Sequence, residues 1–153
     1  MPEISQPAPD FTAPVTGGGS VTLSDLRGKA VVLYFYPKDD TPGCTIEANQ
    51  FTALANDFDA LDTVIIGVSK DDCSSHQAFI EKFNLKVMLL ADTSGELTET
   101  YGVWQEKEKN GVKKMGIVRS TFIIDKQGMI IHAEYGVTAE GHAQAILDKI
   151  KQL

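Results

Sequence analysis

Cysteine is scarce in this 153-residue chain: Cys44 and Cys73, 29 positions apart, are the only two. Two thiols are too few for a disulfide scaffold, and a domain of this size buries roughly 70% of its unfolded surface and needs none. Histidine is nearly as rare, and His76, His132 and His142 form no His-x-Glu or His-x3-His spacing with each other or with the cysteines, which argues against a metal site. Basic residues are in deficit, 14 against 21 acidic, for a net charge of −7. A field of that sign repels phosphate backbones and anionic lipid, so nucleic-acid and membrane partners are not expected. No apolar run approaches the roughly 20 residues of a membrane span. The opening Met1–Pro7 has neither a basic flank nor an apolar run, and a soluble cytoplasmic protein is expected. Repeats, low-complexity tracts and linkers are also absent, which predicts one domain over residues 1–153.

What is present is ordinary globular material, 42% hydrophobic and 23% charged, so the chain is neither intrinsically disordered nor a coiled coil. Pro2, Pro7, Pro9 and Pro14 mark an extended opening, and Gly17-Gly18-Gly19-Ser20 reads as a turn flanked by a short hairpin. A phosphate cradle is excluded there, because no Gly-Lys-Ser/Thr and no helix-opening pattern follows. Ala30–Tyr36 (AVVLYFY) is a continuous β-branched and aromatic run ended by Pro37, as in a strand buried on both faces. From Pro42 the period becomes helical: Cys44, Ala48, Phe51, Leu54 or Ala55, and Phe58 form one stripe on a helix of about four turns.

Thr63–Ser69 predicts a second buried strand, and residues 71–83 a second helix with His76, Phe79, Ile80 and Phe83 inward. Val87–Ala91 gives a third strand and Ser94–Tyr101 a short helix closed by Gly102. Residues 105–114, with Lys107, Lys109, Lys113 and Lys114 against Glu106 and Glu108, form a solvated hairpin or loop, a partner-docking patch being the other reading. Thr121–Asp125 and Met129–Tyr135 bracket Gly128 as an antiparallel hairpin, and Ala143, Ile146, Leu147 and Ile150 build a last helix. Strand and helix alternating, then a hairpin and a helix, predict an α/β fold with a mixed central sheet and helices on both faces. The thioredoxin-like arrangement belongs to that class.

Chemistry in such folds gathers on loops at the carboxyl ends of strands. Tyr36-Pro37-Lys38-Asp39-Asp40-Thr41-Pro42-Gly43-Cys44 is one of these. Thr41 fits an N-cap and Pro42 the first helical position, which puts Cys44 at the third. Amides there have no intrahelical acceptor, and the helix dipole presents about half a positive charge. Cysteines so placed ionise at about 3.5 to 7.5 instead of about 8.5, becoming nucleophiles at neutral pH. Burial on the apolar stripe is the competing use of Cys44, as a small core residue. Asp39 and Asp40 read as solvated loop acids rather than a catalytic carboxylate pair.

The string Pro37-x3-Thr41-x2-Cys44 resembles the motif around the peroxide-attacking cysteine of peroxiredoxins. Ala8-Pro9-Asp10-Phe11, Gly67-Val68-Ser69, Tyr101-Gly102-Val103-Trp104, Met115-Gly116-Ile117 and Arg119-Ser120-Thr121-Phe122 extend the resemblance to almost the whole chain and sharpen it to the bacterioferritin-comigratory, or peroxiredoxin Q, subfamily. The resemblance implies a thioredoxin-like fold and reduction of hydrogen peroxide or organic hydroperoxides without metal, haem or flavin. It also implies a monomer recycled by thioredoxin or a similar dithiol. It makes Cys44 the peroxidatic thiol and Arg119 the cation beside its sulfur. Thr41 becomes a hydroxyl facing the peroxide and Pro37 a cover over the sulfur. Gly43 and Glu47 become supports, the one by close backbone approach, the other by orienting Arg119.

The resolving thiol departs from the subfamily pattern. The place five residues after Cys44 is Asn49, and the alternative place on the next helix falls near Ile80. Cys73, seven residues before Ile80, shares its helix face and is the only other thiol. An intramolecular Cys44–Cys73 bridge and attack by an external thiol both stay open, the first requiring local unfolding to bring the Cα atoms within about 7 Å. A disulfide oxidoreductase of this fold would want Cys-x-x-Cys, which is absent, whereas a non-enzymatic redox sensor would share an oxidisable Cys44.

Overall fold

The β-branched run at Ala30–Phe35 forms β3, buried at every position, at the centre of the sheet. A computed structural model describes residues 2–153. Two short strands, β1 (Thr12–Pro14) and β2 (Ser20–Thr22), pair antiparallel around the glycine turn, followed by a 3-10 turn at Leu23–Leu26. After β3 come α1 (Pro42–Ala53), α2 (Ala55–Ala60), β4 (Thr63–Ser69), α3 (Cys73–Phe83), β5 (Met88–Ala91) and α4 (Glu96–Thr100). The chain then runs through β6 (Trp104–Lys109), β7 (Val112–Ile117), β8 (Ser120–Ile124), β9 (Ile130–Tyr135) and α5 (His142–Lys151).

The five-stranded sheet has the order β5-β4-β3-β8-β9, parallel on the β5-β4-β3 side and antiparallel on the other. Alternation along β3 sorts the core into two layers. Val32, Tyr34 and Tyr36 face α1, α3 and α5 through Cys44, Ala48, Phe51, Phe79, Ala143, Ile146 and Leu147. Val31, Leu33 and Phe35 face Leu97, Tyr101, Val103 and the N-terminal extension. The mixed sheet with helices on both faces is the expected architecture.

One boundary differs from the sequence reading. The single helix expected through Phe58 is two, because Leu54 leaves the helical region at φ −101° and ψ 6°. Its amide is shared between the carbonyls of Gln50 and Phe51, a tightened last turn that lets Phe58 stay against Phe51 with ring centroids 5.9 Å apart. Residues 105–114 do form a hairpin, β6–β7, turned by Asn110 and Gly111 at φ 54° and 77°, the left-handed pair a two-residue turn demands. No helix among the described residues is long and apolar enough to cross a membrane.

Register explains why distant segments meet at one end of the sheet. β8 runs antiparallel to β3 with Ser120 opposite Phe35, so Arg119 emerges beside the loop that leaves β3 toward α1. Residues 75 apart in sequence thereby become neighbours.

Candidate active site

The backbone of Thr41 is extended, at φ −106° and ψ 156°, and Pro42 starts α1 as expected. Thr45 is the first residue bonded back along the helix, to the Thr41 carbonyl at 2.8 Å. The amides of Gly43 and Cys44 therefore have no intrahelical acceptor and point out of the helix start. The Thr41 hydroxyl does not cap them. It donates instead to the Lys38 carbonyl at 2.8 Å, across the loop, which corrects the expected side-chain N-cap and leaves the hydroxyl oxygen with lone pairs to accept a further bond.

Cys44 is 2% exposed, on the buried face of α1, as its place on the apolar stripe predicts. Arg119 donates from Nη2 to its sulfur at 3.2 Å and from Nη1 to Glu47 Oε1 at 2.7 Å. One planar guanidinium thus holds both groups, a fork geometry that a lysine ammonium cannot reproduce. Gly43 faces the same guanidinium: a Cβ there would stand 3.0 Å from Nη2, so the missing side chain is the room in which Arg119 lies. Pro37, half-buried, lies two residues beyond the end of β3, in the loop that leads to α1.

Electrostatically the site is a half-buried cation between the Cys44 sulfur and the Glu47 carboxyl. Burial opposes the charge on Arg119, but Glu47 and then Cys44 outweigh it and hold the guanidinium more firmly protonated than usual. Glu47 is fully buried, and its second oxygen, Oε2, has no hydrogen-bond partner. Burial therefore lifts its carboxyl to about 7 against the downward pull of Arg119. Lys107, which the sequence reading left in a solvated hairpin, reaches back from β6 to donate to the Ile117 carbonyl at 2.8 Å. Burial, then the neighbouring charge of Arg119, push its ammonium below the ordinary value.

Cys73 stands apart from this cluster. It is the first residue of α3, half-buried, and both cysteines are free thiols. Asp39 and Asp40 are not a pair of solvated acids. Asp40 is exposed and bridges Lys82 at 2.8 Å, but Asp39 is buried and accepts hydrogen bonds from Tyr36, Ser75 and His76. A histidine on an otherwise apolar helix stripe signals this in sequence, since a buried imidazole needs polar partners; which acid serves it depends on tertiary packing.

The pattern of the AhpC/TSA family matches residues 4–133. Peroxiredoxin Bcp of Bacillus subtilis is 46% identical over 151 residues, covering 99% of this chain and 96% of the relative. Peroxiredoxin Bcp of Xanthomonas campestris is 40% identical over 150 residues, 97% and 94% of the two chains. Among solved structures, a Xanthomonas campestris bacterioferritin comigratory protein, studied for alkyl peroxide reduction, superposes with a TM-score of 0.88 at 37% identity, covering 93% of this chain and 90% of the other. A cysteine-to-serine variant of Xylella fastidiosa PrxQ gives 0.94 at 33% identity over 99% and 97%. These neighbours carry the thioredoxin-like fold expected from the sequence. With the family pattern over most of its length, and relatives this similar across nearly all of it, the chain belongs to the AhpC/TSA family, in its bacterioferritin-comigratory, peroxiredoxin Q branch.

Proposed function

We propose that Cys44 performs the thiol-dependent peroxidase chemistry of this branch on hydrogen peroxide and organic hydroperoxides. The observation that carries the reading is the Arg119 fork, which joins the Cys44 sulfur to Glu47 at the open start of α1. The Cys44 thiolate attacks the terminal peroxide oxygen; an S–O bond forms, the O–O bond breaks, and the departing oxygen takes a proton and leaves as water or alcohol. Sulfur gives up two electrons and becomes a sulfenic acid. Arg119 Nη2 and the amides of Gly43 and Cys44 face the charge that passes from sulfur to the leaving oxygen. The Thr41 hydroxyl, its proton engaged by Lys38, accepts from the peroxide O–H. Pro37 shields the sulfur from water. Glu47 keeps the guanidinium aimed.

Cys73 then displaces hydroxide from the sulfenic sulfur, forming a Cys44–Cys73 disulfide and releasing water. The loop before Cys44 supports this: Asp39 is bonded to Asp71 and Ser75, which flank Cys73 by two residues on either side. Exchange with a dithiol such as thioredoxin returns both thiols, in the reducing cytoplasm, with the chain acting as a single-domain monomer. The peroxidase relatives give no support to a non-enzymatic relay. Reduced protein treated with one equivalent of peroxide and mapped by peptide mass tests the resolving step. A Cys44–Cys73 linked peptide is expected; sulfenic acid persisting on Cys44 with Cys73 free would assign resolution to an external thiol.

A further inference from the structure

His76 is fully buried in the first turn of α3, on its core face, and nothing in peroxide attack uses it. Its Nε2 lies 2.9 Å from the Leu90 carbonyl, which only accepts, so this nitrogen carries a proton. Its Nδ1 lies 2.7 Å from Asp39 Oδ2. Asp39 Oδ2 also accepts from Ser75 Oγ at 2.8 Å, and Oδ1 from Tyr36 Oη at 2.6 Å. The Asp39 amide donates to Asp71 Oδ2 at 2.8 Å, an oxygen that also takes the Ser69 hydroxyl at 2.7 Å. Burial works against both charges. For Asp39 the bonds from His76 and Tyr36 outweigh it and hold the carboxyl below the ordinary range; for His76 the Asp39 bond and charge hold the imidazole above its ordinary value. Both shifts, and two imidazole nitrogens that each face an oxygen acceptor, favour an imidazolium paired with a carboxylate. Asp39, Asp71 and His76 gather possible ligand atoms within 4.8 Å, but both imidazole nitrogens donate, leaving no lone pair for a metal.

Buried ion pairs are weak sources of net stability, and holding one chain arrangement against another is their best-attested use. This pair spans two elements that bear the two thiols. Asp39 lies five residues before Cys44, in the loop that enters α1; Ser75 and His76 lie just after Cys73 on α3. The next residue, Asp40, has φ 57°, a left-handed turn conformation that aspartate tolerates, with the Asp39 bonds on one side of it and the exposed Asp40–Lys82 bridge on the other.

We propose that the Asp39–His76 ion pair is a latch that positions the Cys44 loop: closed, it aims Thr41 and the first turn of α1 at the peroxide, and opened, it releases Cys44 toward a thiol. Asp39 and His76 are positioning residues, and the inference rests on Cys44 being the attacking thiol but not on Cys73 being its resolver. The latch predicts opposite effects on two reactions of one sulfur. Hydrogen peroxide attack needs the closed loop. Alkylation by a bulky polyethylene-glycol maleimide needs it open, because Cys44 is 2% exposed.

Both rates are measured in the full chain carrying Cys73→Ser, where Cys44 is the only thiol, with and without Asp39→Asn. The expected result is alkylation about tenfold faster, as for an opening eased by about 1.4 kcal/mol, with sulfenic acid formation slowed only by the closed fraction lost. Ser75→Ala, which keeps the ion pair and loses one bond to Asp39, guards against misfolding of the first variant and speeds alkylation about threefold without speeding sulfenic acid formation. Both rates moving the same way, as general loss of structure or of nucleophilicity would produce, overturns the latch, as do both rates staying within about twofold. A Cys44→Ser control separates the two readings: if it still consumes peroxide the assignment of Cys44 fails, whereas a dead control with unmoved latch variants overturns the latch alone.

Discussion

Replacing Glu47 by glutamine is expected to remove a pH-dependent penalty that the wild-type fold carries. The Glu47 carboxyl titrates at about 7 in the folded chain against an ordinary value of 4.5, because burial with Oε2 unpartnered outweighs the Arg119 bridge. The folded chain therefore binds the Glu47 proton more tightly than the unfolded one. Stability from this group is fully present below 4.5, declines as pH rises, and is exhausted once pH passes about 7. The whole gap is worth about 3.5 kcal/mol at about 1.4 kcal/mol per pH unit, and about 2.5 kcal/mol of it falls between pH 5 and pH 8. Glutamine has no such titration. Urea unfolding of both proteins across that range should show the difference between variant and wild type moving in the variant's favour by about 2.5 kcal/mol, whatever fixed cost or gain the amide contributes. Titrations common to both chains cancel, and repeating the pair on a Cys44→Ser background removes the thiol. A difference constant to within about 0.5 kcal/mol would refute the reasoning, since it would mean that the Arg119 bridge holds Glu47 ionised as easily in the fold as in water.

Two further substitutions separate chemistry from stability. Gly43→Ala places a methyl 3.0 Å from Arg119 Nη2, the movable end of a side chain, so the guanidinium yields rather than the backbone. Melting should change by no more than about 1 kcal/mol, alanine being the better helix former, while the second-order rate with peroxide falls about tenfold in stopped-flow. Thr41→Val removes the hydroxyl now bonded to Lys38, and the same rate should fall about tenfold, with Thr41→Ser recovering most of it.

Periodicity exposed most of the fold because the central strands are buried on both faces and the helices on one. The run at 30–36 and the stripe through Ala48 and Phe51 needed no tertiary information. The break at Leu54 was invisible, since no proline or glycine marks it and it depends on how Phe58 packs. Cys44 at the third helical position was legible from Thr41 and Pro42 alone. Its neighbours Arg119 and Glu47 came from the family resemblance and not from local pattern, since Arg119 reaches the sulfur only through the antiparallel register of β8 against β3. Gly43 was expected to admit the peroxide, and the structure adds that it admits Arg119. Asp39 was misread because adjacent loop acids are solvated by default, and only the placement of α3 shows that one of them meets a buried histidine. The hydroxyl of Thr41 turned from helix cap to loop bond for a related reason, since only the fold of the loop brings the Lys38 carbonyl within its reach.

The central claim is that one sulfur, Cys44, carries the peroxidase cycle. Peroxide consumption coupled to thioredoxin and its reductase, followed for wild type and Cys44→Ser in parallel, tests it most directly. Wild type should turn over steadily while Cys44→Ser stays at the rate of the protein-free mixture; turnover by Cys44→Ser at a rate comparable to wild type would contradict the account.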